Sequence, residues 1–164
     1  MSTIIRGKVL KLGDNINTDY IIPARYLDLY EPEDLGPHVF EEYGAYRDRL
    51  RGHSIVIGGE DFGLGSAREQ APNALKGGGV EVVVAKSFAR IFYRNTLNVG
   101  VAAIECPEAA EAAVEDEEIT IDLERGAIEA GKRTFRFPAI PREVRELLDA
   151  GGMVPYLKRK WGLM

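Results

Sequence analysis

The sequence predicts an α/β fold: a central, mostly parallel set of strands with flanking helices, to which an antiparallel β-meander is added. Three observations predict it. VEVVVAKS (80–87) is β-branched and nearly all apolar, the strongest strand signal in the chain. From residue 53 to residue 105, strand and helix patterns alternate with short connections, the order of parallel pairing through right-handed crossovers. From 118 to 137 apolar and polar residues alternate around ERG and AGK, as in antiparallel hairpins.

The elements follow in order. IIRGKVLKL (4–12) alternates as a first strand, and GDNINTDYIIP (13–23) reads as a structured loop closed by Pro23. Residues 32–50, broken by Gly36, Pro37 and Gly44, allow a short, irregular helix at most. HSIVIGG (53–59) suits a buried strand. SAREQAPNALKGGG (66–79) is a helix with a triple-glycine stop, kinked at Pro72. FARIFYRNTLNVG (88–100) is a helix ending at Gly100, and VAAIE (101–105) another strand. A short helix in CPEAAEAAVEDE leads to the meander, and two short helices split by Gly151 and Gly152 close the chain.

With 164 residues, the chain is expected to form one domain, 1–164, long enough for a sizeable core. Its net charge of -5 argues against a general nucleic-acid binder. No apolar run approaches the roughly 18 residues that span a bilayer, and the first residues lack the apolar segment of a signal peptide. A single cysteine, Cys106, excludes an internal disulfide and a cysteine-rich metal site, and fits a cytoplasmic location.

DFGLGSAREQAP (61–72) carries the densest chemistry. Ser66 followed three residues later by Glu69 is the spacing of a capping box, with Gly63 and Gly65 allowing the turn. A glycine-rich turn that opens a helix also presents N–H groups at the positive end of a dipole, where an anion binds and Arg68 could clamp a carboxylate. Asn17–Asp19 reads as an Asx-type turn. Lys86, Arg90 and Arg94 fall at i, i+4, i+8 on one helical face, which would be an interface, an aid to carboxylate binding or a solvated basic face. His38 and His53 lack partners at metal-ligand or triad spacing, and Cys106 reads as a small buried residue.

GEDFGLGSAREQAP, AKSFARIFYRNTLNVG and GDNINTDYIIPARYL, three separated motifs that appear in the family's order, together resemble the small subunits of 3-isopropylmalate dehydratases, the family of the aconitase swivelling domain. The resemblance covers essentially the whole chain and implies a single swivelling β/β/α-type domain. It implies a hydro-lyase that interconverts 2- and 3-isopropylmalate in leucine biosynthesis, by dehydration and rehydration. Ser66 stands at the first serine of the family's GSSRE motif, the base that removes the proton next to a carboxylate. Ala67 replaces the usual second serine, and Arg68 matches the arginine that holds a substrate carboxylate. Asp19 matches an aspartate of the catalytic hydrogen-bonding network.

The resemblance also implies a 4Fe–4S cluster as Lewis acid. It needs three cysteines, so the cluster is expected on a large subunit, in a heterodimer or heterotetramer with the active site between chains and none bound by this chain. Substrate choice maps to the loop of Tyr26, Leu27, Asp28, Leu29 and Tyr30. Asp28 would repel a third carboxylate, which favours isopropylmalate over the homoaconitase substrate, although Arg25 lies close in sequence. A non-catalytic anion-binding module remains the alternative from another class.

Overall fold

The computed structural model describes residues 3–163, so the outermost residues of the expected 1–164 domain (1, 2 and 164) lie outside the described residues. In chain order the elements are β1 (Ile4–Lys11), α1 (Thr18–Ile21), α2 (Pro32–Leu35), α3 (Gly44–Leu50), β2 (Ile55–Ile57), α4 (Gln70–Gly77), β3 (Val82–Ala85) and α5 (Arg90–Asn98). β4 (Ala102–Glu105), α6 (Pro107–Ala112), β5 (Glu118–Asp122), β6 (Ala127–Ala130), β7 (Arg133–Arg136), α7 (Arg142–Ala150) and α8 (Met153–Lys160) complete the chain. All the strands join one seven-stranded mixed sheet in the order β4-β3-β2-β1-β5-β6-β7.

β1 is where the sheet changes direction. On one side it runs parallel to β2, with Val9 opposite Ile55 and Lys11 opposite Ile57. On the other it runs antiparallel to β5, from Ile4 opposite Asp122 to Lys8 opposite Glu118. β2, β3 and β4 extend the parallel half, and β5, β6 and β7 form the expected meander.

Strand side chains alternate between faces, and in β2 and β3 both faces are buried. Ile55, Ile57, Val82, Val84 and Ile104 pack with Ala109 and Ala110 of α6 and Leu148 of α7. Val56, Val83 and Ala85 pack on the opposite side with Ala71, Ala74 and Leu75 of α4 and Phe92 of α5. This explains why 80–87 reads as continuously apolar: a strand covered on both faces has no polar side to show. Burying each such Val or Ile contributes about 1.5–3 kcal/mol before conformational entropy is charged against it.

Four expectations need correction. The helix placed at 66–79 begins only at Gln70, because residues 61–69 are drawn into the site loop described below. Pro72 therefore lies in the first turn, where the N–H groups have no helical acceptor in any case, so it costs no internal bond and requires no kink. The loop at 13–23 contains the turn of α1, and α5 begins at Arg90, which leaves Lys86 outside the helix.

The β2–α4 connection passes so close to α5 that Gly63, at φ +84°, has no room for a side chain: a Cβ would lie within the Phe92 ring. Gly63→Ala should lower stability by about 2–4 kcal/mol in urea unfolding, through positive-φ strain and overpacking together. Relief of an interior kink by Pro72→Ala would gain about 3 kcal/mol. A first-turn proline instead predicts a loss of about 1 kcal/mol, as packed methylenes are removed from a buried position.

Candidate functional site

The loops that follow β1 and β2 do not separate where the strands end. Leu12 N donates to Ile57 O (2.7 Å), Gly59 N to Gly13 O (3.0 Å), Asn15 N to Glu60 O (2.8 Å), Gly63 N to Ile16 O (2.7 Å) and Thr18 N to Leu64 O (2.9 Å). The loop after β3 joins on the far side, with Phe62 N donating to Ser87 O and Ala89 N to Phe62 O. Three loops are thereby fastened together at the carboxyl ends of parallel strands, the edge where open α/β sheets place ligands.

Two side-chain contacts finish the fastening. The Thr18 hydroxyl, on a residue only 1% exposed, donates to Ser66 O at 2.9 Å. Asn17 Oδ1 accepts from Asp19 N at 2.9 Å, the Asx turn expected there, and caps α1. Gly65, at φ +101°, lies so close to Asn17 that a Cβ would press on its amide.

Ser66 emerges from this frame exposed, and among the described residues its hydroxyl makes no hydrogen bond. The capping box is absent: the cap of α4 is Glu69, in helical geometry (φ -65°, ψ -25°) and without a side-chain cap bond. Ser66 stands too far ahead of Gln70, and its carbonyl is held by Thr18 instead. Arg68 is 14% exposed and forms an ion pair with Asp19, which is 56% exposed. Its Nη1 is sealed from solvent yet not aligned for a hydrogen bond with that carboxylate. A guanidinium has five N–H donors and this ion pair engages one of its nitrogens, so Arg68 can still take a further anion. Ser66, Arg68 and Thr18 line a cavity of about 240 Å³ together with Arg90, Ile91 and Phe92 of α5. Sequence reasoning had singled out neither Thr18 nor Ile91; both stand inside quoted motifs, but nothing in their residue types marks the role.

The 26–30 loop is held elsewhere. Tyr26 stacks on His38 at 3.9 Å between ring centroids, with the Arg25 guanidinium 4.9 Å from the Tyr26 ring. Arg25 also pairs with Glu41 (2.9 Å) and Glu42. The Tyr26 hydroxyl, and after it Arg25, holds the Glu41 carboxyl below its ordinary range. Leu29 is half-buried against the core, and Asp28 and Tyr30 are exposed. Leu27 O accepts from Gln70 Nε2 at 3.0 Å, so a residue of the motif's own helix tethers the loop. None of 26–30 lines the cavity of Ser66. Tyr30 borders a separate, larger cavity of about 740 Å³ that also touches Gln70, Asn73 and Val154.

The remaining candidates separate. Lys86 pairs with Glu111, which raises the lysine and lowers the carboxyl. His53 Nε2 meets Asp116 at 2.6 Å and, with Glu115, forms a trio whose ligand atoms lie within 4.8 Å of one another, a partnership invisible in the sequence spacing. Glu115, however, is already matched by Arg49 and by Lys11 N, each at 2.6 Å. Cys106 is 1% exposed, its Sγ lies 3.6 Å from Arg136 O, and burial pushes its thiol up. One sealed thiol does not fit an iron–sulfur cluster.

Comparison with known proteins gives a consistent result. Residues 4–109 match the aconitase C-terminal domain family. The 3-isopropylmalate dehydratase small subunit of Aquifex aeolicus is 44% identical, over 98% of this chain and 98% of its own. The isopropylmalate/citramalate isomerase small subunit of Methanocaldococcus jannaschii is also 44% identical, over 98% of this chain and 97% of its own. A crystal structure of 3-isopropylmalate dehydratase from that archaeon superposes with a TM-score of 0.87 at 37% identity, covering 98% of this chain and 96% of its own.

Two measurements check this geometry. Ser66→Ala should leave the urea midpoint within about 0.5 kcal/mol of wild type, since the hydroxyl caps nothing. Thr18→Val, which strands the Ser66 carbonyl, should cost about 1–2 kcal/mol. Acid should act on the 26–30 anchor. A carboxyl held below its ordinary 4.5 in the folded chain contributes stability above that pH, and the contribution is lost as pH falls through the lower folded value. The near-ultraviolet tyrosine signal should therefore change as pH falls below the ordinary 4.5 in wild type, and change much less in Glu41→Gln.

Proposed function

Because the chain belongs to the aconitase C-terminal domain family, we propose that it is the small subunit of a two-chain hydro-lyase that isomerises 2- and 3-isopropylmalate in leucine biosynthesis. Relatives named for this activity match it over nearly their whole length, and one is named for citramalate as well, a diacid of the same class. The observation that carries the mechanism is the unbonded Ser66 hydroxyl sharing a cavity with the Arg68 guanidinium, which Asp19 holds in place.

In this reading Ser66 removes the proton from the carbon next to a substrate carboxylate and returns a proton to the neighbouring carbon on rehydration. A serine hydroxyl in water is far too weak a base for this. It becomes competent where positive charge and exclusion of water favour the alkoxide. Arg68 supplies the charge and holds the carboxylate. Asp19 keeps the guanidinium pointed into the cavity, which is why Arg68 stays in place before substrate arrives. Exclusion of water has to come from another surface, because Ser66 is open on this chain.

Departure of the hydroxyl group requires a Lewis acid, and a 4Fe–4S cluster held by a large subunit would supply that chemistry. The buried lone thiol of this chain does not fit the role. The same reading makes residues 1–164 one swivelling unit that closes on that subunit, in the cytoplasm, where a lone reduced thiol is the ordinary state. The 26–30 loop would then choose among diacids from the rim, with Tyr26, Leu27, Leu29 and Tyr30 offering apolar contact and Asp28 repelling a third carboxylate.

The test is reconstitution. The isolated chain should be inactive, and with the large subunit it should turn over isopropylmalate. Ser66→Ala should lower kcat by about 10²- to 10⁴-fold with assembly unchanged. Survival of most of the activity would remove Ser66 from the role of base, and appreciable turnover by the isolated chain would remove the need for a second one.

A further inference from the structure

We propose that Arg90 is a second carboxylate-positioning residue of this site and holds the substrate carboxylate that Arg68 does not. The inference rests on the reading above, in which the substrate is a diacid. Such a molecule brings two anionic ends into a cavity of about 240 Å³, and Arg68 accounts for one of them.

Arg90 is the first residue of α5 and lines the same cavity as Ser66 and Arg68. The sequence grouped it with Lys86 and Arg94 on one basic face, and the folded chain breaks up that group. Lys86 precedes the helix and is neutralised by Glu111, and Arg94 does not line the cavity. Among the described residues Arg90 has no ion-pair partner, whereas Arg68 in the same cavity is paired with Asp19.

Arg90 is exposed on this chain, so its guanidinium is free to meet an anion that enters the cavity. A guanidinium at the amino end of a helix adds to the positive pole of the dipole instead of offsetting it. An anion at this end of the cavity relieves both at once and meets first-turn N–H groups that lack helical acceptors. Ile91, 54% exposed, gives the same cavity an apolar wall for the carbon skeleton between the two charged ends.

The experiment uses the pair reconstituted with the large subunit, and compares wild type, Arg90→Gln and Arg90→Lys. The probes are isopropylmalate as substrate, and 2-isopropylsuccinate and its two monoamides as unreactive competitors. Arg90→Gln should raise KM for isopropylmalate and Ki for 2-isopropylsuccinate roughly 10- to 100-fold while kcat falls less than about threefold, and Arg90→Lys should recover part of the loss. One of the monoamides should bind wild type and Arg90→Gln equally, because it lacks the carboxylate in question. Constants within about twofold of wild type would overturn the proposal, as would an equal shift for all the ligands, or failure of Arg90→Gln to associate with the large subunit. If the wild-type pair does not turn over isopropylmalate, the parent reading falls and this one with it. An active pair indifferent to Arg90 overturns this inference alone.

Discussion

The Thr18 hydroxyl donates to the carbonyl of Ser66 across a separation of 48 residues, and most of what is distinctive in this fold serves to make that bond possible. Two loops must first run side by side, and they do so because the hydrogen-bond ladder of β1 and β2 continues past the last strand residue, from Leu12 to Thr18 on one side and from Ile57 to Leu64 on the other. An irregular backbone normally seeks water for its polar groups. Here each loop satisfies the other, so the segment carrying Ser66 and Arg68 is anchored almost as firmly as a strand. The glycines of DFGLG follow from the same closeness: Phe92 fills the space beside Gly63, and the Asn17 amide the space beside Gly65.

Behind the ladder stands a sheet whose parallel half is buried on both faces, and its polarity changes at β1. The parallel half points its carboxyl ends at the site, while the antiparallel half completes the core and lends no residue to the cavity of Ser66. The division of labour is physical. Parallel strands need covering helices, and those helices bring amino ends towards the carboxyl edge of the sheet, where α4 and α5 begin. The β5–β7 meander needs only short turns, and none of its residues lines that cavity.

Much of this was legible in the sequence, for identifiable reasons. Strands β2, β3 and β4 announce themselves by runs of Ile, Val and Ala between glycines, and the meander by period-two alternation, because burial and side-chain direction write themselves directly into residue type. The start of α4 was misplaced because Ser66 and Glu69 have the spacing of a local cap, whereas a bond to Thr18, nearly fifty residues away, has no local signature. Proline at 72 misled in the same way: the residue is a helix breaker only in relation to where the helix starts. The motifs located Ser66, Arg68 and Asp19. What they could not convey is that Arg68 and Asp19 grip each other, that Gln70 ties down the 26–30 loop, or that His53 meets Asp116 across 63 residues.

Cys106 has a different kind of consequence. Its sulfur is enclosed by the core and by the backbone of β7, and burial keeps the thiol protonated. Oxidants and alkylating reagents attack thiolates they can reach, so in the folded chain this atom is inert, and it reacts only when the sheet opens. The protein thus carries a built-in clock: the rate at which a large excess of a fast thiol reagent consumes one sulfur per molecule counts its unfolding events, with no label added and no residue changed.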